Sequence, residues 1–323
     1  MIATIPRRNI VVAILVAAIL IAAGPRPIFL EPTRTGDTTL AGTLAAQAPP
    51  GSKALAVANH DGDTTTFAGL GADEHTQFEI GSITKMFTVE LLRQAVERGE
   101  ISLDAPVSSF VAFPSDTVTI RDLANHTSGL PRLPRNLVLR SVTTTYLNRN
   151  PYAGITASDV LDQAKDQPLS NVGTYQYSNY GYALLGQILA QQAQTPYPEL
   201  VATRILRPLA MANTRVATTE SPEFKAGYLA TGHHAATWPM DGYAPAGAIV
   251  STADDLARFA QHVQEHGIPD YGWIRKDGFT FHNGMTGGFS SILAFDEAKR
   301  SFALGLSNTT ATPTTLVLEV LSP

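Results

Sequence analysis

The sequence predicts an α+β domain in which one antiparallel sheet is assembled from both ends of the chain around a helix-rich middle. Three observations lead there. Strand-like segments joined by an Asp-Gly turn lie between Ala54 and Ala68. Helix start and stop signals dominate from Gly81 to Gly267. After Asp270 the pattern changes to short strands separated by Gly and Asp turns. The 323 residues allow two domains, but one large domain fits equally well. Hydrophobic residues make up 44% and charged residues 16%, which supports a buried core and excludes disorder as the main theme. A formal charge of −5 offers no basic nucleic-acid footprint. The absence of cysteine removes disulfides, thiol nucleophiles, Cys-based zinc sites and Fe–S clusters together.

Arg7 and Arg8 precede an unbroken apolar run of 14 residues from Ile10 to Ala23. That is short of the ~20 residues of a membrane span and matches the charged and apolar regions of an export signal. Residues 1–24 are therefore expected to be a signal peptide or an uncleaved signal anchor. This gives an extracytoplasmic protein, secreted or held by that segment. Arg7 and Arg8 are the only charges before Gly24, so the remainder carries −7. Residues 25–50, rich in Pro, Thr, Gly and Ala, are expected to be a flexible tether. Residues 51–323 form the domain.

Within the domain, Ala54–Asn59 and Thr64–Ala68 form the expected hairpin. Gly81-Ser82 opens a helix running to about Arg98, with Gly99 as its stop. Thr119 with Asp122, and Thr156 with Asp159, are capping boxes for two short helices. Leu130 to Gly154 holds three prolines and is expected to be an irregular excursion that rims a site. Helices follow at Tyr180–Gln192, Tyr197–Leu206 and Thr252–His266, then strands at Tyr271–Ile274, Phe279–His282, Ser290–Phe295 and Phe302–Leu306. Thr314–Leu321 supplies about two closing helical turns.

Ser82-Ile83-Thr84-Lys85 places a serine and a lysine at i and i+3, on one helix face. A helix N-terminus favours negative charge developing on Ser82, and a desolvated Lys85 can take its proton. The bland alternative is an N-cap serine followed by a surface lysine. Tyr177-Ser178-Asn179 stands just before a helix. A tyrosine phenol can relay a proton beside a lysine, and an asparagine can hold both the lysine and a substrate amide. His282-Asn283-Gly284 ends a strand, where glycine permits a close backbone approach. Tyr177 as a core aromatic and His282 as an ordinary strand histidine are the corresponding bland readings.

In this order the three motifs resemble the serine β-lactamase and penicillin-binding protein superfamily. Tyr-x-Asn looks like the class C branch. His-x-Gly, in place of Lys-Thr-Gly, resembles class C-like esterases, D-aminopeptidases and β-lactamase-related serine hydrolases. Between the motifs, Ile120–Pro131 looks like that family's LLTHTSGLP segment, Leu206–Met211 with Thr214 like PLGM…T, and Ala246–Leu256 like AGGLVSTADDL. The resemblance spans roughly residues 52–310. It implies a β-lactamase/transpeptidase-like fold with an α-rich subdomain and a serine hydrolase that forms an acyl-enzyme on Ser82. It also implies that Lys85 and Tyr177 share base and acid duties, and that the backbone N–H groups of Ser82 and Met285 form an oxyanion hole. Asn179 would orient Lys85. His282 would stand where the family's lysine contacts a substrate carboxylate, with Asn283 and Gly284 beside the substrate. No cofactor and no metal are implied.

The expected substrate is a small molecule or peptide, a peptidoglycan-derived one included, bearing an ester, an amide or a D-amino-acid peptide bond. A penicillin-binding D,D-carboxypeptidase, a weak class C-like β-lactamase and a non-catalytic peptidoglycan-binding module are the alternatives. Histidine at position 282 weakens the case for β-lactams, because imidazole is mostly neutral at pH 7. His262-Val263-Gln264-Glu265-His266 matches a zinc-peptidase pattern, H-x-x-E-H. The buried face of its helix, however, is set by Leu256, Phe259, Ala260 and Val263, with Glu265 nearly opposite. No partner nucleic acid is expected, and membrane contact is expected only through the N-terminal segment.

Overall fold

Strands from both chain ends join one sheet. The computed structural model describes Asn9, residues 11–16, 24–222 and 224–322. The strands are β1 (Arg34–Gly36), β2 (Leu55–His60), β3 (Thr65–Leu70), β7 (Ile274–Lys276), β8 (Phe279–Met285), β9 (Ser290–Asp296) and β10 (Ser301–Ser307). They pair antiparallel in the order β1-β3-β2-β10-β9-β8-β7. The two chain ends meet where β2 pairs with β10, Val57 opposite Gly305.

Successive side chains leave a strand on opposite faces. Ala56 and Ala58 of β2 enter the main core, while Val57 joins Ala41, Leu44, Ala68, Leu70 and Leu316 on the other face. On the main-core side the Ala253–His266 helix lies against β2 and β10. The Thr84–Glu97 helix packs on it through Phe87 and Phe259, whose rings stack at 4.0 Å. The outer face is covered by helices Thr38–Gln47 and Thr314–Leu321. Burial on both faces explains why β10 is apolar nearly throughout.

Two expectations need correction. Residues 25–50 are not a structureless tether. Arg34–Gly36 adds β1 to the sheet edge, and the Thr38–Gln47 helix, capped by Asp37 accepting from the Leu40 N–H at 2.8 Å, buries Ala41 and Leu44. Leu130–Gly154 is not wholly irregular, because it contains a helix over Arg135–Tyr146. Val138, Leu139 and Val142 of that helix face outward, so no core-facing period announces it.

A second small sheet, β4 (Phe78–Glu79), β6 (Ile249–Ser251) and β5 (Arg215–Val216), was not foreseen; strands of two or three residues carry no periodicity. Helices Ile120–Ala124 and Ala157–Asp162 have both expected capping boxes. Most of residues 1–24, expected from the sequence to be a signal peptide or signal anchor, lie outside the described residues; residues 11–16 are helical and exposed. Among the described residues no helix is long and apolar enough to cross a membrane.

Candidate active site

Two glycines press strand β8 against the start of the Ser82 helix. Gly81 has φ +49°, and a Cβ there would come within 2.6 Å of the Met285 nitrogen. A Cβ on Gly284 would meet the Ile80 carbonyl oxygen at 2.0 Å and the Ser82 nitrogen at 2.9 Å. Gly284 therefore makes room for the Gly81–Ser82 turn. The small sheet fixes the same turn from behind. The Ile80 N–H donates to the Ile249 carbonyl at 3.0 Å, and Thr84 Oγ1 accepts from the Ile249 N–H at 3.0 Å. A 3₁₀ turn over Gly81–Ile83 then leads into the Thr84–Glu97 helix.

Ser82 makes no capping bond, and Lys85 is fully buried, so the N-cap-and-surface-lysine alternative does not hold. Lys85 Nζ lies 3.1 Å from Ser82 Oγ and donates to the Ala246 carbonyl oxygen at 2.6 Å. The Tyr177 hydroxyl donates to Ser82 Oγ at 2.7 Å. Burial, with the Arg132 guanidinium adding to it, holds the Lys85 amine well below the usual lysine range. Burial pushes the Tyr177 phenol up, so it stays protonated. One hydroxyl oxygen is thus flanked by a lysine biased toward its neutral form and a tyrosine biased toward donating. That pairing can remove a proton from Ser82 and return it to a leaving group.

Tyr177 is held by its neighbours. Ser178 caps the Asn179–Gln192 helix by accepting from the Gly181 N–H at 2.8 Å, and its hydroxyl donates to the Pro131 carbonyl at 2.7 Å. The Ser178 N–H donates to His126 Nδ1 at 3.0 Å, which places the proton of the neutral ring on Nε2. Burial and the charge of Lys85 push His126 down to about 2, so it remains neutral. Its ring lies 4.5 Å from that of Tyr177, and Arg132 sits over the tyrosine ring at 5.1 Å.

The remaining sequence candidates divide. A cavity of about 380 Å³ is lined by Gly81, Ser82, Arg132, Tyr152, Asn179, Trp238, Met285 and Thr286, among others. Met285 and Ser82 are brought together there. Asn179 reaches this cavity but does not hold Lys85. Its Nδ2 donates to the Tyr152 hydroxyl at 3.1 Å, and its buried Oδ1 has no partner. His282 does not line this cavity. Its Nδ1 turns to the Asn283 carbonyl at 2.7 Å, and the ring lines a separate cavity of about 560 Å³ with His126, Tyr175 and Trp273. Burial pushes it down to about 3, so it offers no fixed positive charge. Asn283 is exposed and, by strand alternation, faces away from His282 and Gly284.

Sequence reasoning missed four contributors: the Ala246 carbonyl, His126, Arg132 and Glu79. The first two sit inside the segments compared above with AGGLVSTADDL and LLTHTSGLP, which was the available signal. Glu79 is buried and accepts from the Trp238 N–H at 2.5 Å; burial pushes its carboxyl up to about 7. The side chains of the H-x-x-E-H run have other partners. His262 Nε2 pairs with Glu90 at 2.9 Å, His266 Nδ1 with the His262 carbonyl at 2.9 Å, and Glu265 with Gln261 at 3.0 Å. The two histidine rings lie 4.1 Å apart, while Glu265 turns to its own helix.

The Beta-lactamase family profile matches residues 45–319. Penicillin-binding protein 4* of Bacillus subtilis is 28% identical over 57% of this chain and 44% of its own length. The D-alanyl-D-alanine-carboxypeptidase/endopeptidase AmpH of Escherichia coli is 28% identical over 56% of this chain and 47% of its own. The chain spans about half the length of the curated relatives it matches. A D-stereospecific amidohydrolase from Streptomyces shares the fold, with a TM-score of 0.70 at 22% identity over 88% of this chain and 97% of its own. With a profile that matches most of its length and spans the positions of all three motifs, the chain belongs to the Beta-lactamase family.

Proposed function

We propose that the protein is a serine hydrolase that forms an acyl-enzyme on Ser82 and hydrolyses an ester, an amide or a D-amino-acid peptide bond. The observation that carries this is the convergence of the buried Lys85 amine and the Tyr177 hydroxyl on Ser82 Oγ. Lys85 takes the hydroxyl proton as Oγ bonds the substrate carbonyl carbon. The carbonyl oxygen, now negative, lies between the backbone N–H groups of Ser82 and Met285. The proton passes through the Tyr177 hydroxyl to the leaving group as its bond to carbon breaks. Water then adds to the acyl carbon, gives up its proton through the same pair, and frees Ser82.

The unpaired Asn179 Oδ1 is positioned to accept from a substrate N–H, and Arg132 to meet a substrate carboxylate. Both support amide and peptide substrates. The similarity to AmpH, a D-alanyl-D-alanine-carboxypeptidase/endopeptidase, points the same way. A neutral His282 turned out of the Ser82 cavity weighs against efficient β-lactam hydrolysis. A D,D-carboxypeptidase acting on peptidoglycan-derived peptides is the second reading, favoured by Arg132. We further propose that residues 1–24 direct the protein out of the cytoplasm. The testing experiment is a panel of p-nitrophenyl esters, D-Ala-D-Ala peptides and nitrocefin, run beside Ser82→Ala. Turnover of an ester or D-peptide that vanishes in the variant supports the reading. Turnover unchanged in the variant refutes it.

A further inference from the structure

We propose that the outward face of the Arg135–Tyr146 helix docks on an anionic lipid surface, so that the Ser82 cavity opens at a membrane interface. The face is apolar where a soluble helix would be polar. Leu139, Val142 and Tyr146 are 73%, 64% and 90% exposed, and Val138 and Leu147 are also exposed. At 100° per residue, Val138, Leu139, Val142 and Tyr146 fall within roughly a 100° arc.

The charge around this face is one-signed. From Leu123 to Ser158 the chain has four arginines, Arg132, Arg135, Arg140 and Arg149, and no acidic residue, although the whole chain is acidic. Arg132, Arg135 and Arg149 are exposed. Exposed apolar side chains interleaved with arginine suit the boundary between anionic headgroups and acyl chains. A second copy of this chain suits it poorly, because a two-fold contact would set the arginine patch against itself.

A second relationship points to the same surface. Just past the helix, Asn148 donates to the His234 carbonyl at 2.9 Å and accepts from the Ala236 N–H at 2.8 Å. Beside it, His233 Nε2 lies 2.9 Å from the Gly24 carbonyl, and the Arg26 N–H donates to the Thr231 carbonyl at 2.7 Å. Gly24 and Arg26 are therefore held against the same loop that Asn148 engages at the end of this helix. Leu133 and Ser141, from the same stretch, line the Ser82 cavity. Docking here would present that cavity to amphiphilic acyl donors. This consequence rests on the hydrolase reading; the docking itself does not.

The lack of native cysteine allows a single probe to be placed cleanly. Full-length Val142→Cys and, in the exposed β2–β3 turn, Asp63→Cys would each carry an NBD fluorophore. Each would be reconstituted into vesicles of phosphatidylcholine and phosphatidylglycerol in equal parts. The expected result is blue-shifted emission at position 142, quenched by doxyl-labelled acyl chains, with neither effect at position 63. Adding Arg135→Gln should lower the shifted fraction roughly fivefold. Water-like emission at position 142 on vesicle-bound protein would overturn the proposal. So would a shift that appears without lipid and grows with protein concentration, which would mean self-association. No arm depends on turnover, so failure here leaves the Ser82 reading intact, and the reverse holds.

Discussion

Lys85 Nζ lies 2.6 Å from the carbonyl oxygen of Ala246, a residue 161 positions away in sequence. That carbonyl takes one N–H of the amine and fixes its orientation, while Ser82 Oγ lies 3.1 Å away. Thr88 anchors the same segment by donating to the Pro245 carbonyl at 2.9 Å. The base is thus aimed by backbone, in a pocket that disfavours its charge. Lys85→Ala should slow acylation by about 10²–10⁴-fold, read as loss of the p-nitrophenol burst in stopped-flow measurements. Lys85→Arg should not rescue it, because a guanidinium does not release its proton. Near-normal turnover in Lys85→Ala would show that the base is elsewhere.

Tyr177→Phe should separate chemistry from folding. The ring keeps its packing on His126, so the melting temperature should hardly move. The hydrogen bond to Ser82 disappears, and kcat should fall by at least about 10²-fold. A large drop in melting temperature would mark Tyr177 as a core aromatic first.

Arg132→Gln should shift a pH profile. After burial, Arg132 is the second cause that holds the Lys85 amine low. Removing its charge raises the Lys85 pKa, so the neutral amine becomes abundant only at higher pH. The rising limb of kcat/KM against pH should move upward. An unmoved limb, or one moved downward, would contradict the coupling.

Glu79 gives a stability prediction of defined sign. Burial raises its carboxyl from 4.5 to about 7 in the folded protein. The folded state therefore keeps a proton that the unfolded chain has released between those values. This contribution is fully present below pH 4.5 and is lost as pH rises through about 7. The loss amounts to roughly 3 kcal/mol. Melting curves from pH 4 to 8 should slope downward in the wild type and flatten in Glu79→Gln. Parallel curves would show that Glu79 does not titrate in this range.

The parts of the fold that were legible in the sequence are those with strong local signals. The Asp-Gly hairpin, the capping boxes at Thr119 and Thr156 and the Gly99 stop all appear where their chemistry placed them. The Thr38–Gln47 helix is hidden in the sequence because its Ala- and Thr-rich composition is that of a linker, although Asp37 offers a cap. The Arg135–Tyr146 helix was missed because its apolar residues face out. At the site, the spacing of Ser82 and Lys85 was sufficient to place them together, and the motif order brought in Tyr177. Asn179 and His282 are different. Their backbones stand where the motifs put them, but rotamer and burial turned one to Tyr152 and the other to its own strand. A long-range partner such as Arg132 leaves no local trace.

The central claim is that Ser82 is the acylated residue. Intact mass spectrometry after treatment with a fluorophosphonate, followed by peptide mapping, tests it directly. The wild type should gain a single adduct on the peptide containing Ser82, and Ser82→Ala should gain none while keeping the wild-type melting temperature. Unchanged labelling of the folded Ser82→Ala variant would contradict the account.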